Sequence, residues 1–421
     1  MIKVIGAGLA GCEAAYFLAE AGHEVQLCDI KPSRFTPAHS DKNFGELVCS
    51  NSLKGNDPFT NACGLLKQEM RELGSLIIEA ADATRVPAGG ALAVDRGLFA
   101  QYITHKIRAH GNIKVVCEEV KELPSDEWCI VATGPLTCDA LACDIKAKLG
   151  GDLHFYDASA PIVSRDSIDM SRAFFGDRYG RGGDDYINCP MTKEEYELFV
   201  RELTGAERAV LHDFERGEIF EGEQTLRFGP FKPVGLRDSQ GNKYYAVLQL
   251  RKENAEGQAY NLVGCQTNLK FPEQKRVFSL IPALKNAQFL RYGVMHRNTY
   301  INSPDHLNAD FSYKADPKFF FAGQMTGVEG YVESAASGLL CALHMHRKLC
   351  GKAPAIPANI CVLGALSAHI SGANQNFTPM NANFGILKAG DRRIRDKKAR
   401  YEYLATRSLG YIAGYKLLIK D

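Results

Sequence analysis

The feature that most constrains this chain is its first thirty residues. Ile2 to Ile5 is a short apolar run. Gly6-Ala7-Gly8-Leu9-Ala10-Gly11 then opens a helix through about Ala21, and Gly22 ends that helix before the run Val25 to Cys28. Glycines at first, third and sixth positions between a strand and a helix serve a tight turn, close approach of a pyrophosphate and close helix packing. The helix N-terminus then faces the phosphates. Asp29 ends the second strand, where a carboxylate can take ribose hydroxyls. The predicted class is α/β, built on a Rossmann-like dinucleotide-binding domain.

Two distant segments complete that domain. Trp128 to Thr133 reads as a strand followed by Gly134, an ATG turn of the kind found where flavoprotein chains cross back over the dinucleotide. Phe319 to Phe321 is an apolar strand running into Gly323 and Gln324, then Gly327, Gly330 and Tyr331, with a small-residue helix from about Glu333 to Leu349. Its N-terminus offers backbone N–H groups to an anion. Residues 1–151 and 303–352 are thus expected to form a discontinuous FAD-binding domain of the glutathione-reductase type. Residues 152–302 read as an inserted α+β substrate domain, with strand-like runs Tyr244 to Leu250 and Tyr260 to Val263 and a polar helix from about Thr192 to Thr204. Residues 353–421 read as a C-terminal tail. Its stretch Lys388 to Arg400 holds seven Lys or Arg against two Asp, a net of +5.

Composition bounds the partners. Basic and acidic residues number 50 and 49, so only a local patch can attract a polyanion. No run approaches the ~18 apolar residues a membrane span needs, and no charged leader precedes the first strand, so the expected place is the cytoplasm. The 13 cysteines form no CxxC and no regular framework, which suits free thiols in a reducing compartment. His344 and His346 lie near Cys341 without further ligands, and no metal site is expected.

More specific segments follow. Thr36-Pro37-Ala38-His39, Glu46 to Leu53 with Val48-Cys49-Ser50-Asn51 at its centre, Val86 to Ala91, Leu226-Arg227-Phe228-Gly229-Pro230, Tyr292 to Thr299 and Phe321 to Tyr331 stand in this order. Together with Gly6 to Gly11 they closely resemble the folate/FAD-dependent tRNA (uracil-C5)-methyltransferase family, TrmFO, from residue 1 to beyond 385. The resemblance implies FAD as cofactor, methylenetetrahydrofolate and NAD(P)H as co-substrates, and the T-loop uridine 54 of tRNA as target. No stable protein partner is expected.

By motif position Cys49 corresponds to one of that family's two functional cysteines. Carbon 5 of uracil becomes nucleophilic only after addition at carbon 6, and a thiolate is the usual group for that. The family's other cysteine falls in a longer segment between its Phe-Glu-Gly and Leu-Arg-Phe-Gly-Pro equivalents. Here Phe220-Glu221-Gly222 runs through Glu223-Gln224 straight to Thr225, without a cysteine. Cys189 and Cys265 are the spare thiols. Three readings stay open on that departure: tRNA methylation, a paralogue methylating a uridine of 23S ribosomal RNA, and a flavoprotein oxidoreductase without methyl transfer.

His296 could stack on a pterin ring, or simply pack. Arg227, Lys232, Arg251 and Arg297 are candidates for folate glutamate or RNA phosphate, although each also suits a solvated surface. The stretch from Lys388 suits either an RNA backbone or a solvated helix face.

Overall fold

A computed structural model describes all residues except 37, 150–154, 181–184, 209–222, 253–258, 299, 373–376, 378, 391–393 and 421. The side chains of 155–159, 180, 223–225, 294–298 and 420 also lie outside the description. The segment Phe220 to Gly222, where the sequence departs from the family pattern, therefore falls outside it.

The chain opens with β1 (Ile2–Ile5), α1 (Leu9–Glu20), β2 (Val25–Asp29), β3 (Ser52–Gly55), α2 (Ala62–Glu72), α3 (Leu76–Ala83), β4 (Arg85–Val86), β5 (Ala91–Val94), α4 (Arg96–Ala109), β6 (Ile113–Cys117), β7 (Cys129–Val131) and α5 (Asp139–Leu149). The middle holds β8 (Phe155–Ser159), β9 (Ile162–Ser164), β10 (Phe174–Phe175), β11 (Tyr186–Met191), α6 (Lys193–Gly205), α7 (Glu223–Phe228), β12 (Ala246–Lys252), β13 (Ala259–Leu262), α8 (Phe271–Phe278), β14 (Phe289–Arg291) and β15 (Val294–Asn298). The chain closes with α9 (Ser303–His306), β16 (Phe319–Phe321), α10 (Tyr331–Leu349), α11 (Val362–Ser371) and α12 (Lys397–Lys420).

The parallel sheet runs β16-β7-β1-β2-β6. β7 and the edge strand β16 are buried throughout and read as unbroken apolar runs, whereas β1 carries the half-buried Lys3. β7 beside β1 and β16 beside β7 bring in the distant segments expected from the sequence. Helices α1 and α10 cross closely: a Cβ on Gly338 would lie 2.2 Å from the Ala10 carbonyl oxygen, so only glycine fits.

The second sheet is antiparallel, β10-β11-β12-β13-β9-β14, with its own core of residues such as Tyr196, Phe199, Leu248 and Phe278. Thr192 caps α6 in a capping box with Glu195. A three-stranded sheet, β3-β5-β4, carries the segment after Cys49.

Residues 353–421, expected as a tail, carry α11 and α12. Ala405, Ser408, Ile412 and Tyr415 line one buried face of α12 at helical spacing and pack into the same core as β1 and α1. Glu69 of α2 binds both helices: its carboxylate accepts from the Val362 and Leu363 N–H groups at 2.8 and 2.9 Å and from the Ser408 hydroxyl at 2.6 Å. Glu13 of α1 does the same for α3, accepting from Ser75 Oγ, Leu76 N and Ile77 N. Both fill orphan donors at a helix start. Burial pushes each carboxyl up to about 7 against those hydrogen bonds. Among the described residues no helix is long and apolar enough to cross a membrane.

Candidate active site

The three glycines of the first turn have three different causes. Gly6 has φ +100°, and a Cβ there would lie 2.5 Å from the Ala132 carbonyl oxygen. At Gly11 a Cβ would fall 1.8 Å from the Gly6 oxygen. Gly8 is required by neither, since its φ of −75° suits any residue and a Cβ would meet no atom within 4 Å. That open space before the N-terminus of α1 is where a pyrophosphate can approach the backbone. Ala7, Leu9 and Ala10 are buried beside it.

Asp29 braces the turn: its carboxylate accepts from the Ala7 N–H at 2.7 Å and from the Lys31 N–H at 2.8 Å. Each oxygen keeps a further lone pair for a sugar hydroxyl. Gly134, at φ +68°, follows β7, and a Cβ there would also meet nothing within 4 Å. On the far side, Gly323 donates its N–H to Ser337 Oγ at 2.6 Å, and Gln324 to Thr326 make one tight turn ending at Gly327, φ +80°. Gly330 caps α10 without a side-chain hydrogen bond, and the start of that helix presents its positive dipole end to a ligand. These residues fit an extended dinucleotide such as FAD.

Cys49 meets Tyr331 at this end of the cradle. The Tyr331 hydroxyl lies 2.7 Å from the Cys49 sulfur and accepts the Cys49 N–H at 2.7 Å. Its own proton is thus left to share with sulfur. The thiol is half-buried, whereas Cys189 and Cys265 are buried in the core of the second sheet, where burial pushes both thiols far up. Held as apolar filler, those two are not placed to act as the spare nucleophiles the sequence suggests.

A network missed by sequence reasoning fixes the Cys49 loop. Arg251, on β12, is buried and donates from Nε to Asn51 Oδ1 at 2.9 Å and from its Nη2 to Ser50 Oγ at 2.5 Å. Asn51 also donates to the carbonyls of Val94 and Lys252. Arg251 therefore faces inward, positioning the thiol rather than meeting a phosphate. Next along the chain, Lys54 has φ +64° and pairs with Glu333 at 3.1 Å. Although burial opposes it, the Glu333 carboxylate beside Lys54 holds the ammonium above the usual lysine range. Glu333 is fully buried and also accepts the Ala382 N–H at 2.9 Å. An acid in the first turn of α10 was the one signal in the sequence for this pair.

The remaining candidates are dispersed. Arg227 lies 3.8 Å over the Tyr245 ring and donates to its carbonyl, a packing role for the guanidinium. Lys232 is exposed. His296 and Arg297 lie on β15, in register with Asp157 and Tyr156 of β8, and their side chains are outside the described residues.

A family model described as glucose inhibited division protein A matches residues 1–353. A protein of Acetivibrio thermocellus named methylenetetrahydrofolate--tRNA-(uracil-5-)-methyltransferase TrmFO is 54% identical over 428 residues, covering 98% of each chain. The like-named protein of Staphylococcus carnosus is 51% identical over 431 residues, covering 99% of this chain and 98% of that one. Among solved structures, Aquifex aeolicus GidA superposes with a TM-score of 0.73 at 15% identity, over 99% of this chain and 73% of that one. That last likeness bears on the fold alone.

Proposed function

The chain belongs to the methylenetetrahydrofolate--tRNA-(uracil-5-)-methyltransferase TrmFO family, and from that premise we propose that it methylates carbon 5 of a uridine in RNA. The proposed target is the T-loop uridine 54 of tRNA, with methylenetetrahydrofolate as carbon donor, FAD as cofactor, NAD(P)H as reductant and the cytoplasm as its place. The observation that carries this reading is the Cys49–Tyr331 pair at the end of a glycine-lined cradle.

In this reading the Ala7 to Gly11 turn would hold the pyrophosphate of FAD, Asp29 a ribose, and the N-terminus of α10 the flavin end. Bound FAD would supply the hydride chemistry that reduces a transferred methylene to methyl. The protein's own part starts at the thiol. The thiol gives its proton to water, the Tyr331 hydroxyl donates its own proton's hydrogen bond to the thiolate left behind, the sulfur adds to uracil C6, and the C5–C6 π pair moves onto C5 and the C4 carbonyl. C5 then bonds the folate-borne methylene, and the bond from that carbon to the folate nitrogen breaks with its electron pair staying on nitrogen when the carbon is reduced. Loss of the C5 proton returns the pair to C5–C6 as the sulfur–C6 bond breaks. Arg251 and Asn51 keep the loop from drifting, since a misplacement of about 1 Å can lower the rate ~100-fold.

The shortened segment before Thr225 favours a second reading, a uridine of 23S ribosomal RNA. Mapping 5-methyluridine in tRNA and ribosomal RNA from a deletion strain tests both. Loss from tRNA supports the first and loss from ribosomal RNA the second. Loss from neither leaves the oxidoreductase reading and overturns both. Isotope-labelled folate then tests the carbon source, because label reaching RNA only from S-adenosylmethionine excludes the folate route.

A further inference from the structure

Beyond the cradle, a cavity of about 790 Å³ opens between the segment from Phe384 and the start of α12. Its size falls in the ~300–1,000 Å³ range of ligand sites. Its walls are built rather than incidental. Phe384 and Tyr401 stack at 4.2 Å, and Gly390 lies so close to the Tyr403 ring that a Cβ would come within 2.4 Å of it. Arg407 fastens the facing strand of chain by donating to the Lys388 and Ala389 carbonyls.

Among the described residues Arg395 and Arg400 line the cavity and no acidic side chain does, and both arginines are exposed. Among the described residues neither makes an ion pair with a carboxylate, in contrast to Arg34, Arg71 and Arg276. The cations continue outside the cavity with Lys397 and Lys398, also exposed, while Asp396 between them and Arg395 accepts the Ala399 N–H at the start of α12. A row longer than the cavity suits a polyanion better than a single small ligand.

The segment that enters the cavity also runs past the start of α10. Met380 pairs with Val328, and the Ala382 N–H is bound by Glu333, the partner of Lys54. Phe384 is two residues further on, within ~7 Å of Ala382 for an extended chain.

We propose that this cavity is a second RNA subsite, which takes a nucleotide flanking the one methylated, its phosphates on Arg395 and Arg400 and its base against the aromatic wall. The proposal rests on the RNA methylation reading above. It assigns to the cations at the start of α12 a task the fold does not require, because Arg395, Lys397, Lys398 and Arg400 are all exposed.

The test is the double variant Arg395→Gln/Arg400→Gln, prepared as flavin-loaded full chain and compared with wild type for binding of an in-vitro transcript of tRNA across a salt series. Two lost phosphate contacts should weaken binding ~10-fold or more at low salt and reduce the slope of log affinity against log salt by ~1.4 to 1.8. Flavin content, melting temperature and flavin reduction by NAD(P)H should not change, and Arg→Lys at both positions should restore most of the slope. Unchanged RNA affinity and slope overturn the subsite while leaving methylation by the wild type intact. A raised KM for NAD(P)H with unchanged RNA binding overturns it in favour of a dinucleotide site. A wild-type protein that binds no transcript at any salt overturns the underlying reading and the subsite together.

Discussion

The Cys49 sulfur and the Tyr331 hydroxyl stand 2.7 Å apart although 282 residues separate them in the chain. The helix that delivers Tyr331 is thus as much a part of the thiol's chemistry as the loop that carries the thiol. Cys49→Ala should abolish methylation with flavin still bound. Tyr331→Phe should keep the fold and lower kcat by ~100-fold, the low end of what losing one hydrogen-bond donor to a reacting anion costs. A denaturation-resistant adduct with 5-fluorouridine RNA, mapped by peptide, locates the nucleophile. Full activity in either variant removes that residue from the mechanism.

Gly8 and Gly11 should respond oppositely to the same added carbon. A Cβ at Gly8 meets no protein atom within 4 Å, so Gly8→Val should fold and yet purify without colour. Gly11→Ala drives a Cβ to 1.8 Å from a carbonyl and should lower the melting temperature sharply. Visible absorbance and circular dichroism of the two proteins separate these outcomes. A yellow Gly8→Val protein would move the pyrophosphate elsewhere.

Asn51→Ala should destabilise the protein by ~3 kcal/mol, since it strips an acceptor from buried Arg251 and leaves part of a charge unmatched. Activity should fall as well, with Cys49 intact. Thermal melts and turnover measured together check it. A loss of turnover without a loss of stability would make Asn51 a ligand-binding group instead.

Stability should fall as pH rises from about 4.5 to 7. Glu13 and Glu69 ordinarily titrate near 4.5 and are raised by burial to about 7 in the folded chain. Between those values the folded state holds a proton that the unfolded state has lost, so each carboxyl contributes stability that is complete below about 4.5 and disappears above 7. The slope is ~1.4 kcal/mol per pH unit for each group. Glu69→Gln should remove one of the two contributions, visible as a pH-dependent difference in melting temperature between variant and wild type. A difference constant with pH would show that Glu69 does not titrate in that window.

The parts legible in the sequence are those whose cause is local. The Gly6 to Gly11 turn, the strands flanking it and the helix after Gly330 each announce themselves within a dozen residues, and the structure has them within a residue or two. Cys49 was legible through its motif. Its partners were not: Arg251 and Asn51 meet across 200 residues, and Lys54 and Glu333 across 279. A buried arginine and a solvated one look alike in sequence, which is why Arg251 was grouped with phosphate-binding candidates. The last helix was read by its basic start, whereas its packing is written in the later positions Ala405, Ser408, Ile412 and Tyr415.

The clasp at Glu69 also sets a timetable for synthesis. Ser408 follows Glu69 by 339 residues, so at ~5 to 20 residues per second a nascent chain waits ~17 to 70 s before that carboxylate meets its last donor. Until then the core around α2 lacks the two helices that cover it. The nucleotide domain is therefore finished only after the whole of the inserted domain has left the ribosome, and a chain cut short anywhere before Ser408 carries a marked, unsealed flank.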